Sequence, residues 1–168
     1  HTDAIQAFAW LDVAEVCAGA QLVSISGHKF GGPKGVGALA IRKGVELAPL
    51  VLGGGQERGH RSGTQNVAGI VALTTAMTLA NDERKAMVDR VASLRDRLVD
   101  ELQARVDGIT ETVAREHKVA GNAHLLVDGV EAEALLFLLD RQGVCASAGS
   151  SCSSGAMDPS HVLAASAN

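Results

Sequence analysis

Gln21-Leu22-Val23-Ser24-Ile25-Ser26-Gly27-His28-Lys29-Phe30-Gly31-Gly32-Pro33-Lys34-Gly35 carries a short apolar strand directly into a glycine-rich turn, with Lys29 at the junction. A solvated surface lysine needs no such surroundings. A lysine that attaches a carbonyl cofactor must be held at one point and partly desolvated, so that its amine is nucleophilic. Ser26 and His28, with backbone N–H groups such as that of Gly27 beside them, form the kind of donor set that hydrogen-bonds a phosphate. Together these residues point to pyridoxal phosphate. The segment 31–35 fits a plain tight turn between two strands equally well, since glycine and proline punctuate turns everywhere. A Walker-type phosphate loop is excluded, because Lys34 is followed by Gly35 and not by Ser or Thr.

Working outward, 21–26 is predicted as a buried strand, 35–42 as a second strand and 50–52 as a third. The run Gly53-Gly54-Gly55-Gln56-Glu57-Arg58-Gly59-His60-Arg61-Ser62-Gly63-Thr64 follows. It is rich in specific polar side chains, and long ordered loops tend to carry function; a solvated connection is the competing reading. A buried helix is predicted over 66–79 with Thr64 as its N-cap. Met87, Val91, Leu94, Leu98 and Leu102, recurring at steps of three or four, predict a second helix, whose Arg84, Lys85, Asp89, Arg90, Arg95, Asp96 and Arg97 are expected to be solvated.

Beyond Gly108, short strands are predicted at 109–113 and 123–127, a helix over 131–141, a strand near Val144, and a helix start at Asp158-Pro159. The alternation predicts an α/β architecture over 1–80 and a smaller α+β unit over 81–168, divided at a helix break at Asn81-Asp82.

With 168 residues, 46% hydrophobic and 20% charged, the chain has the composition of a soluble globular protein with one sizeable core or two small ones. A net charge of -4 and the lack of any lysine or arginine block argue against a nucleic-acid surface. No segment approaches the roughly 18 apolar residues of a membrane span. The start His1-Thr2-Asp3-Ala4-Ile5-Gln6 has no signal-peptide pattern; it enters the sequence as though in mid-domain, and a piece of a longer protein is expected. The three cysteines, Cys17, Cys145 and Cys152, show no CxxC spacing, which argues against a disulfide framework or a zinc site and favours a reducing, cytoplasmic setting. Aromatic residues make up only 2%, so the core must be built from Val, Leu, Ile and Ala.

Two further groups carry chemistry. Ala146-Ser147-Ala148-Gly149-Ser150-Ser151-Cys152-Ser153-Ser154-Gly155 sets a cysteine in a run of small polar residues that offers no apolar packing. Such a thiol is placed to act as a nucleophile that reaches one partner and then another; a free surface cysteine is the competing reading. Cys17 and Cys145, in apolar stretches, are expected in the core. Asp3 is a carboxylate that can pair with a protonated pyridine nitrogen and make the ring an electron sink. Gln6, three residues on, could bond the ring hydroxyl.

Taken in order, residues 1–6, 26–35, 53–59, 61–64 and 149–155, with Asp158-Pro159-Ser160-His161-Val162-Leu163 after them, closely resemble the cysteine desulfurases of the class V aminotransferase group, which are fold-type-I pyridoxal-phosphate enzymes. The resemblance implies conversion of L-cysteine to L-alanine. Lys29 would attach the cofactor and take the α-proton, Asp3 would pair with the pyridine nitrogen, and Gln6 would bond the ring hydroxyl. Ser26, Gly27 and His28 would hold the phosphate, with His28 also serving catalysis, and Thr64 would reach the phosphate of the neighbouring subunit of a homodimer. Cys152 matches the cysteine that holds sulfur as a persulfide. Its long loop is similar to the branch that hands sulfur to an iron–sulfur scaffold protein, where Cys152 would be a shared iron–sulfur ligand in a chain with no intrinsic metal.

On this resemblance 1–80 is the C-terminal part of a large, mostly parallel cofactor domain, and 81–168 is a small α+β domain. The family is longer: the parts bearing a ring-stacking histidine and a carboxylate-binding arginine have no counterpart here, so truncation at both ends is expected. A catalytically silent interaction module, a selenocysteine lyase and a simple aminotransferase stay open as alternatives, because fold and cofactor do not fix the reaction.

Overall fold

The structure is a computed structural model and describes residues 1–149; Cys152 and the helix start at Asp158-Pro159 lie outside the described residues. Strand β1 (Thr2–Asp3) ends in a run of turns, and Asp12 then starts a short helix α1 (Val13–Val16) by accepting the Ala14 and Glu15 N–H groups at 3.0 and 3.2 Å. Satisfying those otherwise orphaned donors is what favours aspartate at a helix N-cap. Strand β2 (Leu22–Ser26) lies parallel to β1, with Asp3 opposite Ser24, and β3 (Gly37–Ile41) returns antiparallel to β2, with Ser26 opposite Gly37. Both long strands predicted from the sequence are present. The third, at 50–52, is reduced to one parallel bridge between Val51 and Arg61. Pro49 on one side and three glycines on the other leave it too short to build a ladder.

Helix α2 (Val67–Arg105) is continuous over 39 residues, so the break expected at Asn81-Asp82 does not occur. Asn and Asp are weak helix formers, not breakers. No proline or glycine follows Gly69 within α2, and bonds such as Arg84 Nη2 to Asn81 Oδ1 at 3.1 Å and Lys85 Nζ to Asp89 at 2.6 Å brace the helix there. Its N-cap is Asn66 and not Thr64: Asn66 Oδ1 accepts the Gly69 N–H at 3.0 Å. The expected burial of its first turns fails too, since Val67, Val71 and Leu79 are 66%, 59% and 55% exposed and only Leu73 among these apolar residues is buried. Contacts divide the chain into His1–Val91 and Ala92–Asn168, a division that falls inside α2. In the first unit the buried apolar residues are Ala4, Phe8, Ala9 and Leu73. No helix among the described residues is long and apolar enough to cross a membrane.

In the second unit β4 (Ile109–Glu111) pairs antiparallel with β5 (Leu125–Val127), and helix α3 (Ala132–Arg141) follows. The strand expected near Val144 is absent. Gly143 takes a φ of 75°, and the Val144 N–H donates to the Leu139 carbonyl at 2.9 Å, so Val144 closes the helix through a glycine stop. Cys145, just beyond it, is exposed and Cys17 is half-buried, against the expectation that both sit in the core.

The solvated reading of the α2 charges is overturned at Arg95. Its side chain is 8% exposed and bonds Asp96 at 2.8 Å and the Val119 carbonyl at 3.3 Å. Nearby, the Glu111 carboxylate accepts from Arg115 Nε at 3.0 Å and from the buried Lys118 ammonium, while Arg115 Nη2 reaches Asp100 at 2.5 Å. Burial pushes the Glu111 carboxyl up, but the hydrogen bonds and charges of Lys118 and Arg115 outweigh it and hold the group below its usual value of 4.5. Glu111→Gln is expected to cost about 3 kcal/mol, because it leaves the Lys118 charge buried without its carboxylate. A carboxyl depressed in the folded state contributes stability above its unfolded value, lost as pH falls through the folded one. Urea melts should therefore show the wild type losing this increment below about pH 4.5, with a shallower fall in E111Q; parallel pH curves would remove Glu111 as its source.

Candidate active site

Asp3 ends β1 and Ser26 ends β2, and because the strands are parallel their carboxyl ends open on one side of the sheet, the edge at which α/β sheets bind ligands. From Ser24, level with Asp3, β2 runs on to Ser26, about 7 Å at 3.3 Å per residue. The chain then turns through a single 3-10 turn, Gly27–Lys29. That turn is fastened at several points. The Gly27 N–H donates to the Val36 carbonyl at 3.0 Å, and the Gly27 carbonyl accepts from Phe30 at 3.1 Å and Gly32 at 2.8 Å. The free N–H expected at Gly27 is therefore engaged, and what this residue contributes is close approach: a Cβ there would meet Leu73 Cδ1 at 3.1 Å and two carbonyl oxygens at 3.2 and 3.3 Å. Leu73 of α2 thus rests directly on the lysine turn.

Lys29 is half-buried at the end of the turn. His28 is exposed, and its Nδ1 lies 2.8 Å from the Ser26 hydroxyl, so the two groups expected on a phosphate hold each other beside Lys29. Asp3 Oδ1 accepts the Ile5 N–H at 2.9 Å, which fixes the carboxylate and leaves Oδ2 without a partner among the described residues. Gln6 is exposed in the turns that follow. Asp3, Ser26, His28 and Lys29 are thus brought to one sheet edge.

Thr64 is not among them; it is exposed at the end of the polar loop and makes no hydrogen bond to the lysine turn. That loop is built, not slack. Ser62 is 7% exposed, its N–H donates to the Val51 carbonyl at 3.0 Å, and its hydroxyl accepts from Gly55 at 3.3 Å. Gln56 Oε1 accepts the Gly63 N–H at 3.0 Å. Glu57 and Arg58 are held at φ 51° and 57°, left-handed backbone that costs an ordinary residue about 1–2 kcal/mol.

Two pairs at this edge escaped the sequence reading. His1 Nε2 lies 2.7 Å from the Ser24 hydroxyl, and the rings of Phe8 and Phe30 meet with centroids 4.4 Å apart. Strand alternation, which puts His1 and Asp3 on one face, could have raised the first.

The family model for class-V aminotransferases matches residues 1–166. The chain belongs to the class-V aminotransferase family. Among its class-V relatives, the IscS-like cysteine desulfurase of Mycobacterium tuberculosis is 46% identical over 166 residues, which is 98% of this chain and 42% of that protein. The solved structure of a NifS-like protein superposes with a TM-score of 0.84 at 36% identity, over 97% of this chain and 41% of that one. SspA, solved in complex with cysteine, superposes with a TM-score of 0.68 at 28% identity, over 98% of this chain and 45% of that one. The chain spans about two fifths of the length of the curated relatives it matches. The class-V likeness bears out the α/β architecture expected from the sequence.

Proposed function

We propose that this chain is the part of a pyridoxal-phosphate-dependent cysteine desulfurase that carries the cofactor lysine and the sulfur-accepting cysteine. The observation that supports it most is the shared carboxyl edge of β1 and β2, where Asp3, tied by the Ile5 N–H, ends one strand and Ser26 leads the other into the half-buried Lys29 turn. The donor set fits the cofactor. Asp3 Oδ2 is open to a protonated ring nitrogen, the Lys29 amine to the aldehyde, and the Ser26–His28 pair to the phosphate, while Gly27 shapes the turn. Gln6 would take the ring hydroxyl, and Thr64 the phosphate held by a second copy in a homodimer.

When bound, pyridoxal phosphate supplies an electron sink at the substrate α-carbon. Lys29 Nζ takes the α-proton of L-cysteine as general base. Cys152, as a thiolate, attacks the substrate sulfur; the carbon–sulfur bond breaks, the sulfur stays on Cys152 as a persulfide, and the three-carbon remainder is protonated and leaves as L-alanine. The neutral thiol would be too poor a nucleophile for this step. The cysteine bound in the SspA neighbour supports the substrate. An iron–sulfur scaffold fits as the acceptor of sulfur from so small-residue a loop, and a division into a large-domain part and a small domain belongs to the same proposal, with its boundary inside α2 at Val91–Ala92 and not at 80–81.

Borohydride reduction in the presence of pyridoxal phosphate, followed by peptide mass analysis, is expected to place the label on Lys29. A label on Lys34, or none, sinks the assignment. The rival of a different class is a catalytically silent interaction module. Release of alanine from L-cysteine by the chain on its own would dispose of that rival.

A further inference from the structure

We infer that Phe8 and Phe30 form a clasp that sets the spacing between the Asp3 carboxylate and the Lys29 amine, which makes both phenylalanines positioning residues for the cofactor; this rests on the roles proposed above for Asp3 and Lys29. The ring centroids lie 4.4 Å apart with the planes inclined at 38°, a favourable arrangement for an aromatic pair. With one tryptophan, three phenylalanines and no tyrosine, the chain commits two of its few aromatic rings to this one contact.

Their places in the chain give the contact its meaning. Phe30 directly follows Lys29, and its N–H donates to the Gly27 carbonyl at 3.1 Å, closing the lysine turn. Phe8 is 9% exposed, and its N–H donates to the Ala4 carbonyl at 3.2 Å, in the turns that lead away from Asp3. Ala4 is itself 1% exposed, and its N–H is held by the Ser24 carbonyl at 2.9 Å. The ring contact therefore completes a circuit. Asp3 is tied to Ser24 by strand pairing, Ser24 leads along the chain to Lys29 and Phe30, Phe30 meets Phe8, and Phe8 leads back to Asp3. Among the described residues no hydrogen bond joins 5–11 to 27–35, and the ring contact is a tie between these two segments.

A pyridine ring is rigid, and the nitrogen that Asp3 would meet stands opposite the carbon bearing the aldehyde that Lys29 would meet. An error in the spacing of the two residues cannot be taken up inside the cofactor. It must appear as tilt or as weaker attachment, and small misplacements of this kind carry large penalties in oriented sites.

The test compares F8L, F30L, the double variant and F30Y in the protein loaded with pyridoxal phosphate. It follows the melting temperature of the apoprotein, the dissociation constant of the cofactor and the induced circular dichroism of its visible band. Each leucine variant is expected to weaken cofactor binding three- to tenfold, equivalent to about 0.7–1.4 kcal/mol, and to reduce the induced signal. The double variant should be no worse than the worse single, because one contact is lost only once. F30Y, which keeps the ring, should behave like the wild type. Effects that multiply in the double variant overturn the clasp, as do leucine variants that lower the melting temperature but leave the dissociation constant and the induced signal unchanged. Where a leucine variant does not fold, F30M takes its place and the same outcomes decide. A wild type that carries no pyridoxal phosphate on Lys29 overturns the functional assignment itself, before any variant is compared.

Discussion

Lys29→Ala is expected to abolish covalent retention of pyridoxal phosphate and to lower alanine formation from L-cysteine by about 10²–10⁴-fold or more, the range lost with a positioned general base. Two functions should fail together in this variant, because the proposed mechanism has one amine both attach the cofactor and receive the α-proton. Lys34→Ala is the matched control. Lys34 is exposed in the same turn, five residues on and beyond the glycines, and its loss should leave both the visible absorbance band and turnover close to wild type. Absorbance spectra and an alanine assay on the two variants, side by side, decide the matter. Retained turnover in K29A, or an equal loss in K34A, would show that the strand-to-turn junction is not where the chemistry is anchored.

Cys152→Ser separates sulfur transfer from cofactor chemistry. A serine hydroxyl cannot hold sulfane sulfur, so persulfide measured by cyanolysis should vanish and turnover fall on the order of 10³-fold or more, as removal of a covalent nucleophile does. The visible band should persist, because Asp3, Ser26, His28 and Lys29 all lie on the β1–β2 edge and none of them is altered. Unchanged turnover in C152S would instead favour an aminotransferase or a lyase that needs no acceptor thiol.

The strand leading into Lys29, the strand after its turn and α3 were legible because each carries its own local signal: an apolar run, a glycine turn or an apolar helical stretch; that the second strand returns antiparallel was not read. Features decided by distant residues were not. Asn66 and Thr64 are both good capping residues near the same helix start, and the choice went to the one standing directly before Val67, with reach to the Gly69 N–H. Arg95 looks like any arginine on a charged helix face until the Val119 carbonyl comes to cover it. Glu111 and Lys118 are separated by a 3-10 turn, Arg115–His117, which no periodicity announces. The engaged N–H of Gly27 was equally hidden, since it depends on where Val36 returns. Of the proposed site, the residue types and their order could be read, but the ring contact behind them, between residues far apart in sequence, could not.

The pairing pattern of the small sheet also orders events in time. Ser26 meets Gly37 across the short segment 27–36, and the ladder can close from there up to Leu22 and Ile41. Asp3 meets Ser24 only after the whole of 4–23 lies between them, and that parallel pairing is just two residues long. Shorter separations cost less chain entropy to close, and local contacts form ahead of distant ones. A growing or refolding chain thus holds its lysine turn before it has the carboxylate opposite. On the proposed reading, capture of pyridoxal phosphate would then be a closing event in the maturation of this segment, and not the template on which it folds.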